Sequence, residues 1–495
     1  MKTFPLYSAS QTRELDALCI ADEKISGYSL MQRAGQAAFN AIINRWPDIK
    51  SMTVVCGIGN NGGDGYVIAQ LAIEHEIYVN LIQLGDLVNQ TDDALLARQA
   101  LEKISTTAQP FSNRQQFESD LIVDAIFGTG LTREVGGDWK KAIAAINRSP
   151  CPVVAVDIPS GLHADTGSIL GYAVNADMTV TFIARKQGLY TGDGKQVSGE
   201  ILFESLNVSH HVTQKIDPAS YCIDALSGPL LEKRPANSHK KDFGHVLLVG
   251  GAPGMRGAIQ LAAHAALRSG AGLVTVATHP DHAAYFNIAI PEIMVLAVEN
   301  QNDLLSLMNR ADTIVIGPGL GQDQWSKELF SSAVSGDHPL VVDADALNIL
   351  ATLKLKRSNW ILTPHPGEAA RLLHTSVSKI QSDRYSAAAK IQNNYGGICV
   401  LKGSGTIIRD NEKNMVCPFG NAGMATAGMG DVLAGVLGSV IGQSRRYNLP
   451  LEDVAVFAVS LHSLAGDHAS IAGGEKGLMA SDLIPYLRQL INECA

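Results

Sequence analysis

The sequence predicts an α/β fold of two domains, each built on a parallel sheet with helices on both faces. Two observations lead to this prediction. Short apolar runs alternate with helical patterns along both halves of the chain, which is typical of buried parallel strands joined by crossover helices. The chain also has 495 residues, and a single core seldom grows beyond roughly 250–300 residues.

The composition excludes several other classes of protein. Apolar residues make up 46% and charged residues 18%, which suits a globular chain rather than a disordered one. The net charge of −9 disfavours broad attraction to nucleic acid or to anionic lipid. The seven cysteines form no C-x-x-C pair, so we expect neither a disulfide framework nor a thiolate metal site, and we expect a cytoplasmic location. The N-terminus lacks a signal-peptide core, and no 18-residue apolar run free of charges predicts a membrane span.

The first half contains five predicted strands. They cover 52–56, 77–84, 121–125, 152–156 and 178–183, with helical patterns at 29–46, after the glycine cluster to about 74, at 92–104 and at 139–147. The pattern weakens between Asn207 and Arg234, where Asp217-Pro218 and Gly228-Pro229 interrupt it. We therefore place a linker at 213–224, between domains at 8–212 and 225–491.

The second half repeats the alternation of apolar runs and helices. Its predicted strands cover 245–249, 272–277, 313–316, 339–342, 360–362 and 398–401. Long helices are predicted after Asp431 and after Leu451. This series predicts a second parallel sheet.

A glycine-rich loop follows the first predicted strand. Gly57 to Gly62 fits G-x-G-x-x-G between a strand and a helix, a pattern typical of dinucleotide binding. Asp64 follows closely, and its carboxylate would repel a pyrophosphate unless a cation intervened. Three interpretations stay open at this point: a dinucleotide loop, an amide-lined site for another polar ligand, and a turn without a ligand.

Two later strands of the first half also end in polar residues. Asp124 and Asp157 each close a predicted strand and precede a loop containing glycine. Ligands bind at the carboxyl ends of strands in open parallel sheets, so we expect Asn61, Asp64, Asp124, Asp157 and Ser160 to meet there. Amide, carboxylate and hydroxyl oxygens suit an alkali or alkaline-earth cation, although a single Asp at a strand end is more often a loop cap.

The strings GNNGGDG, VDAIFGTG and VDIPSG, in this order, resemble the NAD(P)H-hydrate epimerase domain over residues 8–212. The resemblance implies a Rossmann-like three-layer α/β/α domain that binds hydrated NADH or NADPH and K+, with Asp157 as a catalytic acid or base. Carried over by motif, the substrate-binding residues are Asn60, Asn61, Gly62, Gly63, Asp64, Gly128, Thr129, Gly130, Leu131, Thr132, Arg133, Glu134 and Asp157, and the potassium ligands are Asn61, Asp124 and Ser160.

The second half carries two glycine-rich loops suited to phosphate. Lys402 begins the string KGSGT after a strand, without a Walker motif, and Asn421 begins NAGMATAGMGD, which opens a helix at Asp431. Amides at a helix N-terminus form an anion site. Asp431 then has two interpretations, a base acting on a substrate hydroxyl and a simple N-cap. His365, between two prolines and close to Glu368, is either a solvated loop residue or a ligand contact.

With IGPGLG, VVDADALN, TPHPGE and GMGD, this half resembles the ribokinase-like domain of ADP-dependent NAD(P)H-hydrate dehydratase. The resemblance implies that Mg²⁺ assists, that Asp431 is catalytic, and that Ala258, Gly319, His365 and Asp431 contact the hydrate. ADP would be bound by Lys402, Gly403, Ser404, Gly405, Thr406, Asn421, Ala422, Gly423, Met424, Ala425, Thr426, Ala427, Gly428, Met429 and Gly430.

Together the two resemblances imply a bifunctional repair enzyme. One half would interconvert the R and S forms of hydrated NAD(P)H at C6 of the nicotinamide ring. The other would dehydrate the S form while ADP is cleaved to AMP and phosphate. The family also implies a homo-oligomer. Two alternatives are a vitamin-precursor kinase fused to a dinucleotide-binding domain and, for the first half, an NAD-dependent dehydrogenase, for which Asp86 comes late as the expected ribose-binding acid.

Overall fold

The computed structural model describes residues 2–104, 108–112, 115–226 and 231–493. The chain divides into two compact units. The smaller runs from Pro5 to Ser220, and the larger begins at Tyr221 and also includes the first residues, up to Phe4. The division falls inside the stretch 213–224 that the sequence assigns to a linker. Gly228 and Pro229, the second predicted interruption, lie outside the described residues.

Strands supply the central layer of each unit. In chain order they are β1 (Lys2–Leu6), β2 (Ser51–Cys56), β3 (Tyr78–Gln83), β4 (Gln109–Pro110), β5 (Leu121–Ala125), β6 (Val153–Val156), β7 (Met178–Phe182), β8 (Glu200–Glu204), β9 (Ser220–Ala225), β10 (His245–Val249), β11 (Leu273–Thr278), β12 (Met294–Ala297), β13 (Thr313–Ile316), β14 (Leu340–Val342), β15 (Trp360–Leu362), β16 (Ile398–Leu401), β17 (Thr406–Arg409) and β18 (Asn414–Cys417).

Helices connect most of these strands. They are α1 (Ala9–Glu23), α2 (Gly27–Arg45), α3 (Asn60–Glu74), α4 (Asp92–Glu102), α5 (Gly137–Arg148), α6 (Gly194–Val197), α7 (His210–Thr213), α8 (Arg256–Arg268), α9 (Pro280–Ala283), α10 (Gln301–Met308), α11 (Gln324–Ser335), α12 (Ala344–Leu350), α13 (Pro366–Leu372), α14 (Val377–Ser382), α15 (Arg384–Tyr395), α16 (Met429–Ser444), α17 (Leu451–Gly473) and α18 (Leu483–Glu493).

The smaller unit has a seven-stranded sheet in the order β4-β3-β2-β5-β6-β7-β8. Every pairing in it is parallel. The central strands are buried along their whole length, as expected for strands covered by helices on both faces. The register pairs Cys56 with Ala125, and Asp124 with Ala155. The loops after β2, β5 and β6 therefore begin side by side at the carboxyl edge of the sheet.

The larger unit has an eleven-stranded sheet in the order β1-β9-β18-β17-β16-β15-β14-β13-β10-β11-β12. From β12 to β16 the pairings are parallel, as the sequence predicts. Strand β17 departs from this pattern because it is antiparallel to both β16 and β18. Strand β9 is a second difference, since it occupies the end of the predicted linker and pairs with β18.

Two long helices, α16 and α17, pack within the core of the larger unit. Thirteen residues of α17 are buried, and α16 is buried along almost its whole length. By length and composition alone, α17 is long and apolar enough to cross a membrane. The sequence does not predict it as a membrane span, because every 18-residue window of this helix contains the charged residue Asp467. Most of the qualifying window is buried inside the unit, and core helices meet the same criterion.

Candidate active sites

The smaller unit contains a cavity of about 730 Å³ at the carboxyl edge of its sheet, within the range of small-molecule sites. Its lining comes from the loops that follow β2, β5 and β6, from helices α1 and α2, and from the chain after β7. The cavity is lined by most of the predicted substrate-binding residues: Asn60, Asn61, Asp64, Gly128, Thr129, Gly130, Leu131, Thr132, Arg133 and Asp157. The structure thus brings together the strand-end loops that the sequence places at one edge.

Three predicted substrate-binding residues, Gly62, Gly63 and Glu134, are not among those that line the cavity. A Cβ on Gly62 would lie 2.1 Å from the carbonyl oxygen of Gly57. A Cβ on Gly63 would lie 2.5 Å from Cε of Met31. These two glycines therefore allow the start of α3 to pack closely, while Glu134 is exposed.

Asp157 forms an ion pair with Lys186 at the cavity wall. Lys186 is only 1% exposed; its ammonium also donates to Thr181 Oγ1 at 3.1 Å and to the Phe182 carbonyl at 3.0 Å. Asp157 has φ of 66°, a left-handed conformation that is uncommon outside glycine and often marks functional sites. Sequence reasoning missed Lys186, because no glycine-rich motif surrounds it.

Two further carboxylates, Asp16 and Asp64, line the same cavity. Burial raises the pKa of Asp16 to about 6, against the opposing effect of Lys186. Burial also raises the pKa of Asp64 well above its usual value, and the charge of Asp157 adds to this shift. The cavity therefore combines carboxyl groups able to hold a proton near neutral pH with one ionic pair. The sequence also does not predict Asp16 as a site residue, because helix α1 carries no recognisable motif.

The predicted cation ligands form a buried cluster, of which Asn61 also lines the cavity. Asp124 Oδ1 accepts from Ser160 Oγ at 2.6 Å, and Asp124 Oδ2 accepts from Ser160 N–H at 2.8 Å. Asn61 Nδ2 donates to the Phe127 carbonyl at 3.0 Å. Burial raises the pKa of Asp124 to about 6, and no ion pair found among the described residues includes it.

In the larger unit, Lys402 lies among carboxylates at the carboxyl edge of the sheet. Its Nζ is 2.7 Å from Asp343 Oδ1 and 3.9 Å from Glu368 Oε2. Burial lowers the pKa of Lys402, but Asp343 and Glu368 outweigh that effect and raise it above its usual value. Thr363 Oγ1 also donates to Asp343 Oδ1, at 2.7 Å. The ends of β14, β15 and β16 therefore supply one charged cluster.

Asp431 and His365 belong to the same edge of the sheet. Asp431 lies in the first turn of α16, where burial and the charge of Asp343 raise its pKa to about 7. His365 Nδ1 accepts from Gly367 N–H at 2.9 Å, and its Nε2 lies 3.4 Å from Glu368 Oε1. Burial and the charge of Lys402 lower the pKa of His365, which favours the neutral ring.

Ala258 and Gly319, both predicted to contact the hydrate, lie next to each other. Gly319 has φ of 59° in the loop after β13, and a Cβ built on it would be 3.3 Å from Cβ of Ala258. In the same loop, Gly321 N–H donates to Asp345 Oδ2 at 2.9 Å. The charge of Asp345 in turn contributes to the raised pKa of Asp431, which places this loop near the acid.

The two predicted ADP-binding segments flank this cluster. Residues 402–406 connect β16 to β17, and the buried Arg384 donates to the carbonyls of Leu401 at 3.2 Å and Gly405 at 3.4 Å. Sequence reasoning missed Arg384, since it lies far from the segment along the chain. The second segment leads from β18 into α16 and comprises Asn421, Ala422, Gly423, Met424, Ala425, Thr426, Ala427, Gly428, Met429 and Gly430. A Cβ on Gly430 would be 3.0 Å from Lys402 Nζ, so the segments meet there.

Comparison with known proteins agrees with this division of the chain. The profile of NAD(P)H-hydrate dehydratase matches residues 246–489, and that of the YjeF-related protein N-terminus matches residues 27–188. The bifunctional NAD(P)H-hydrate repair enzyme Nnr of Coxiella burnetii is 45% identical over 98% of this chain and 99% of its own length. The enzyme of the same name from Escherichia coli is 42% identical over 94% of this chain and 90% of its own.

A solved structure, that of a hypothetical protein from Streptococcus mutans, is 32% identical and covers 54% of this chain and 96% of its own, with a TM-score of 0.50. The resemblance seen in the motifs of both halves is confirmed along nearly the whole sequence, and with it the Rossmann-like and ribokinase-like fold types. The chain belongs to the family of bifunctional NAD(P)H-hydrate repair enzymes.

Proposed function

We propose that this chain repairs hydrated NADH and NADPH in two steps. The smaller unit interconverts the R and S forms at C6 of the nicotinamide ring. The larger unit removes water from the S form while ADP is cleaved to AMP and phosphate. The observation that carries this proposal is that each unit gathers its family's motif residues at one sheet edge, around Asp157 with Lys186 and around Asp431 with Lys402.

In the epimerase reaction Asp157 acts as the acid or base at the nicotinamide ring. Lys186 holds this carboxylate in the cavity wall, and the surrounding loops bind the rest of the hydrated dinucleotide. Asp16 and Asp64, which take up protons more readily than usual, supply or receive the proton that a change at C6 requires. Loss and return of the C6 hydroxyl and reversible ring opening both fit this set of groups.

We propose that Asn61, Asp124 and Ser160 bind K+, together with the Phe127 carbonyl. Their oxygens are hard donors that suit such a cation, and a fully buried carboxylate without a described basic partner calls for a positive charge. When bound, K+ neutralises Asp124 and fixes the loops after β2, β5 and β6. The chain's own residues carry out the chemistry at C6.

In the dehydratase reaction, Asp431 takes the proton of the C6 hydroxyl. The hydroxyl oxygen then attacks the β-phosphorus of ADP, and AMP departs. Phosphate is a much better leaving group than hydroxide, so the lone pair of the ring nitrogen expels it from C6. Transfer of the C5 proton to the released phosphate then gives NAD(P)H. Lys402 and the amides at the start of α16 stabilise the charge on the transferred group.

We propose that Mg²⁺ accompanies ADP in this unit. Mg²⁺ is commonly held by one or two carboxylates together with substrate phosphates, and Asp343 and Glu368 are the buried carboxylates beside Lys402. No three His, Cys, Asp or Glu side chains in the described part of the chain are grouped to hold a metal alone, so phosphate oxygens would complete the site. Bound there, Mg²⁺ lowers the negative charge on the phosphates.

An absorbance assay tests both activities at once. The full chain receives a mixture of R and S hydrated NADH with ADP, Mg²⁺ and K+, and recovery of the nicotinamide band is followed. We expect complete recovery with one AMP and one phosphate formed per NADH, whereas Asp157→Ala leaves the R form and Asp431→Ala recovers nothing. Asp138→Ala, an exposed residue of α5, is the matched control.

Equal loss in the control, or NADH formed without AMP, would contradict the proposal. Turnover of ATP to ADP with phosphorylation of an alcohol would favour the kinase alternative. We further propose that the enzyme acts in the cytoplasm as a homo-oligomer, which cell fractionation and sedimentation of the purified chain would test.

A further inference from the structure

Helix α17 contacts the start of the predicted ADP-binding segment through Asp467. Gly420 N–H donates to Asp467 Oδ2 at 2.8 Å, and Asn421 Nδ2 donates to Asp467 Oδ1 at 2.9 Å. Asn421 Oδ1 in turn accepts from Gly423 N–H at 3.0 Å. One carboxylate therefore fixes both the backbone and the side chain where the segment begins. No glycine-rich motif and no family resemblance assigns a role to Asp467.

The same helix contacts the end of the segment through His462. This residue is 7% exposed, and its Nε2 lies 3.0 Å from the carbonyl oxygen of Met429, the first residue of α16. Burial lowers the pKa of His462 to about 4, so the ring is neutral and donates one N–H to this carbonyl.

The bond to Met429 orients the next amide group. The carbonyl of Met429 and the N–H of Gly430 belong to one planar trans peptide, so they point in opposite directions. With the carbonyl held toward His462, the N–H of Gly430 points away from α17. A Cβ on Gly430 would lie 3.0 Å from Lys402 Nζ, so this amide group borders the phosphate-binding lysine.

The middle of the segment also rests on α17. A Cβ on Gly466 would lie 2.4 Å from Sδ of Met424, so only a residue without a side chain lets Met424 pack this closely on the helix. The segment is therefore held at three points along α17: at its beginning by Asp467, in its middle at Gly466, and at its end by His462.

We infer that His462 and Asp467 are positioning residues for ADP, which hold the segment Asn421–Gly430 in the form that receives the β-phosphate. This inference rests on the proposed dehydratase function. Neither side chain needs to contact ADP. His462 acts through the amide of Gly430 on the transferring phosphoryl group, and Asp467 acts through the segment's first turn on ADP binding.

Steady-state kinetics of the full chain on purified S hydrate test the inference. We expect His462→Leu to lower kcat by about tenfold to a hundredfold, somewhat less than loss of a whole oxyanion donor. His462→Gln can still donate an N–H to Met429 and should recover most of that loss. Asp467→Ala should raise the KM for ADP by about tenfold with little change in the KM for the hydrate, because it removes the two charge-assisted hydrogen bonds that hold the start of the segment.

The matched control is His468→Ala, because His468 lies on the same helix with its ring beside Tyr486, 6.0 Å away. Thermal unfolding of the same chain reports whether each variant is folded. Wild-type kinetics in both His462→Leu and Asp467→Ala would overturn the inference. So would equal effects on the two KM values, or a His462→Gln variant as impaired as His462→Leu. Failure of the proposed function is distinct, because then the wild-type chain itself would not form AMP.

Discussion

Replacing Lys402 with Met should destabilise the larger unit through its two acidic partners. Lys402 Nζ lies 2.7 Å from Asp343 Oδ1 and 3.9 Å from Glu368 Oε2, and these acidic side chains are 1% and 6% exposed. Removal of one partner from a buried ion pair costs about 3–5 kcal/mol, because the remaining charge is left uncompensated. We expect a loss of this size in the free energy of unfolding at pH 8.

The pH dependence of this loss follows from Glu368. Burial raises its pKa to about 7 even with Lys402 present, and removal of the cation raises the pKa further. A raised folded-state pKa favours the folded state at low pH, and this contribution is lost as the pH rises through the folded pKa. The destabilisation of Lys402→Met should therefore be smaller at pH 5.5 than at pH 8.

Urea unfolding measures this prediction, with circular dichroism and tryptophan fluorescence, to which the buried Trp360 contributes, followed at both pH values. The second variant, Lys402→Met with Asp343→Asn, removes one of the two negative charges that Lys402 no longer compensates. It should recover roughly half of the lost free energy of unfolding. Lys354→Met, an exposed lysine of the same unit, is the control and should stay within about 0.5 kcal/mol of wild type. A loss below about 1 kcal/mol, independent of pH and unrelieved by Asp343→Asn, would refute the reasoning.

Three further predictions concern activity and ligands. Because burial and Asp343 raise the pKa of Asp431 to about 7, kcat for dehydration should rise about tenfold per pH unit below that value and level off above it; a pH profile that stays flat from 5 to 8 would exclude Asp431 as the base. Lys186→Met should lower epimerisation by roughly a hundredfold and leave dehydration of pure S hydrate unchanged, as chiral separation of the two forms would show. KCl at a hundred times the dissociation constant of K+ should stabilise the smaller unit by about 2.7 kcal/mol in thermal unfolding. Neither the Asp124→Asn variant in KCl nor the wild type in choline chloride should show this stabilisation. An equal response to KCl in the wild type and in Asp124→Asn would show that Asp124 is not a ligand of the cation.

The elements that the sequence predicted best are the central parallel strands. The predicted strands 121–125, 245–249, 313–316, 360–362 and 398–401 coincide with β5, β10, β13, β15 and β16. Their side chains are buried on both faces, so each appears as an unbroken apolar run. The sequence does not predict the edge strand β8, because that strand is partly exposed and lacks such a run. It does not predict the antiparallel hairpin β17–β18 either, because each of its strands has only two or three consecutive buried residues.

The motif residues were also predictable from sequence as neighbours. A strand-end loop in a parallel sheet always opens at the carboxyl edge, so Asn61, Asp124 and Ser160 had to meet once the strands were recognised. Lys186 and Asp16 illustrate the opposite case. Each reaches the cavity from an element with no motif, and only the packing of α1 and of the chain after β7 brings them to Asp157.

By itself, the sequence determined the α/β class, the two-domain division and the loops that carry chemistry, because these depend on local periodicity and on glycine-rich turns. Only the tertiary structure decided which distant charges surround those loops. Lys402 is compensated by Asp343 and Glu368, and His462 fixes the peptide before Gly430. Burial then sets the pKa of Asp431 and Glu368, and burial is a property of the folded core that no short segment encodes.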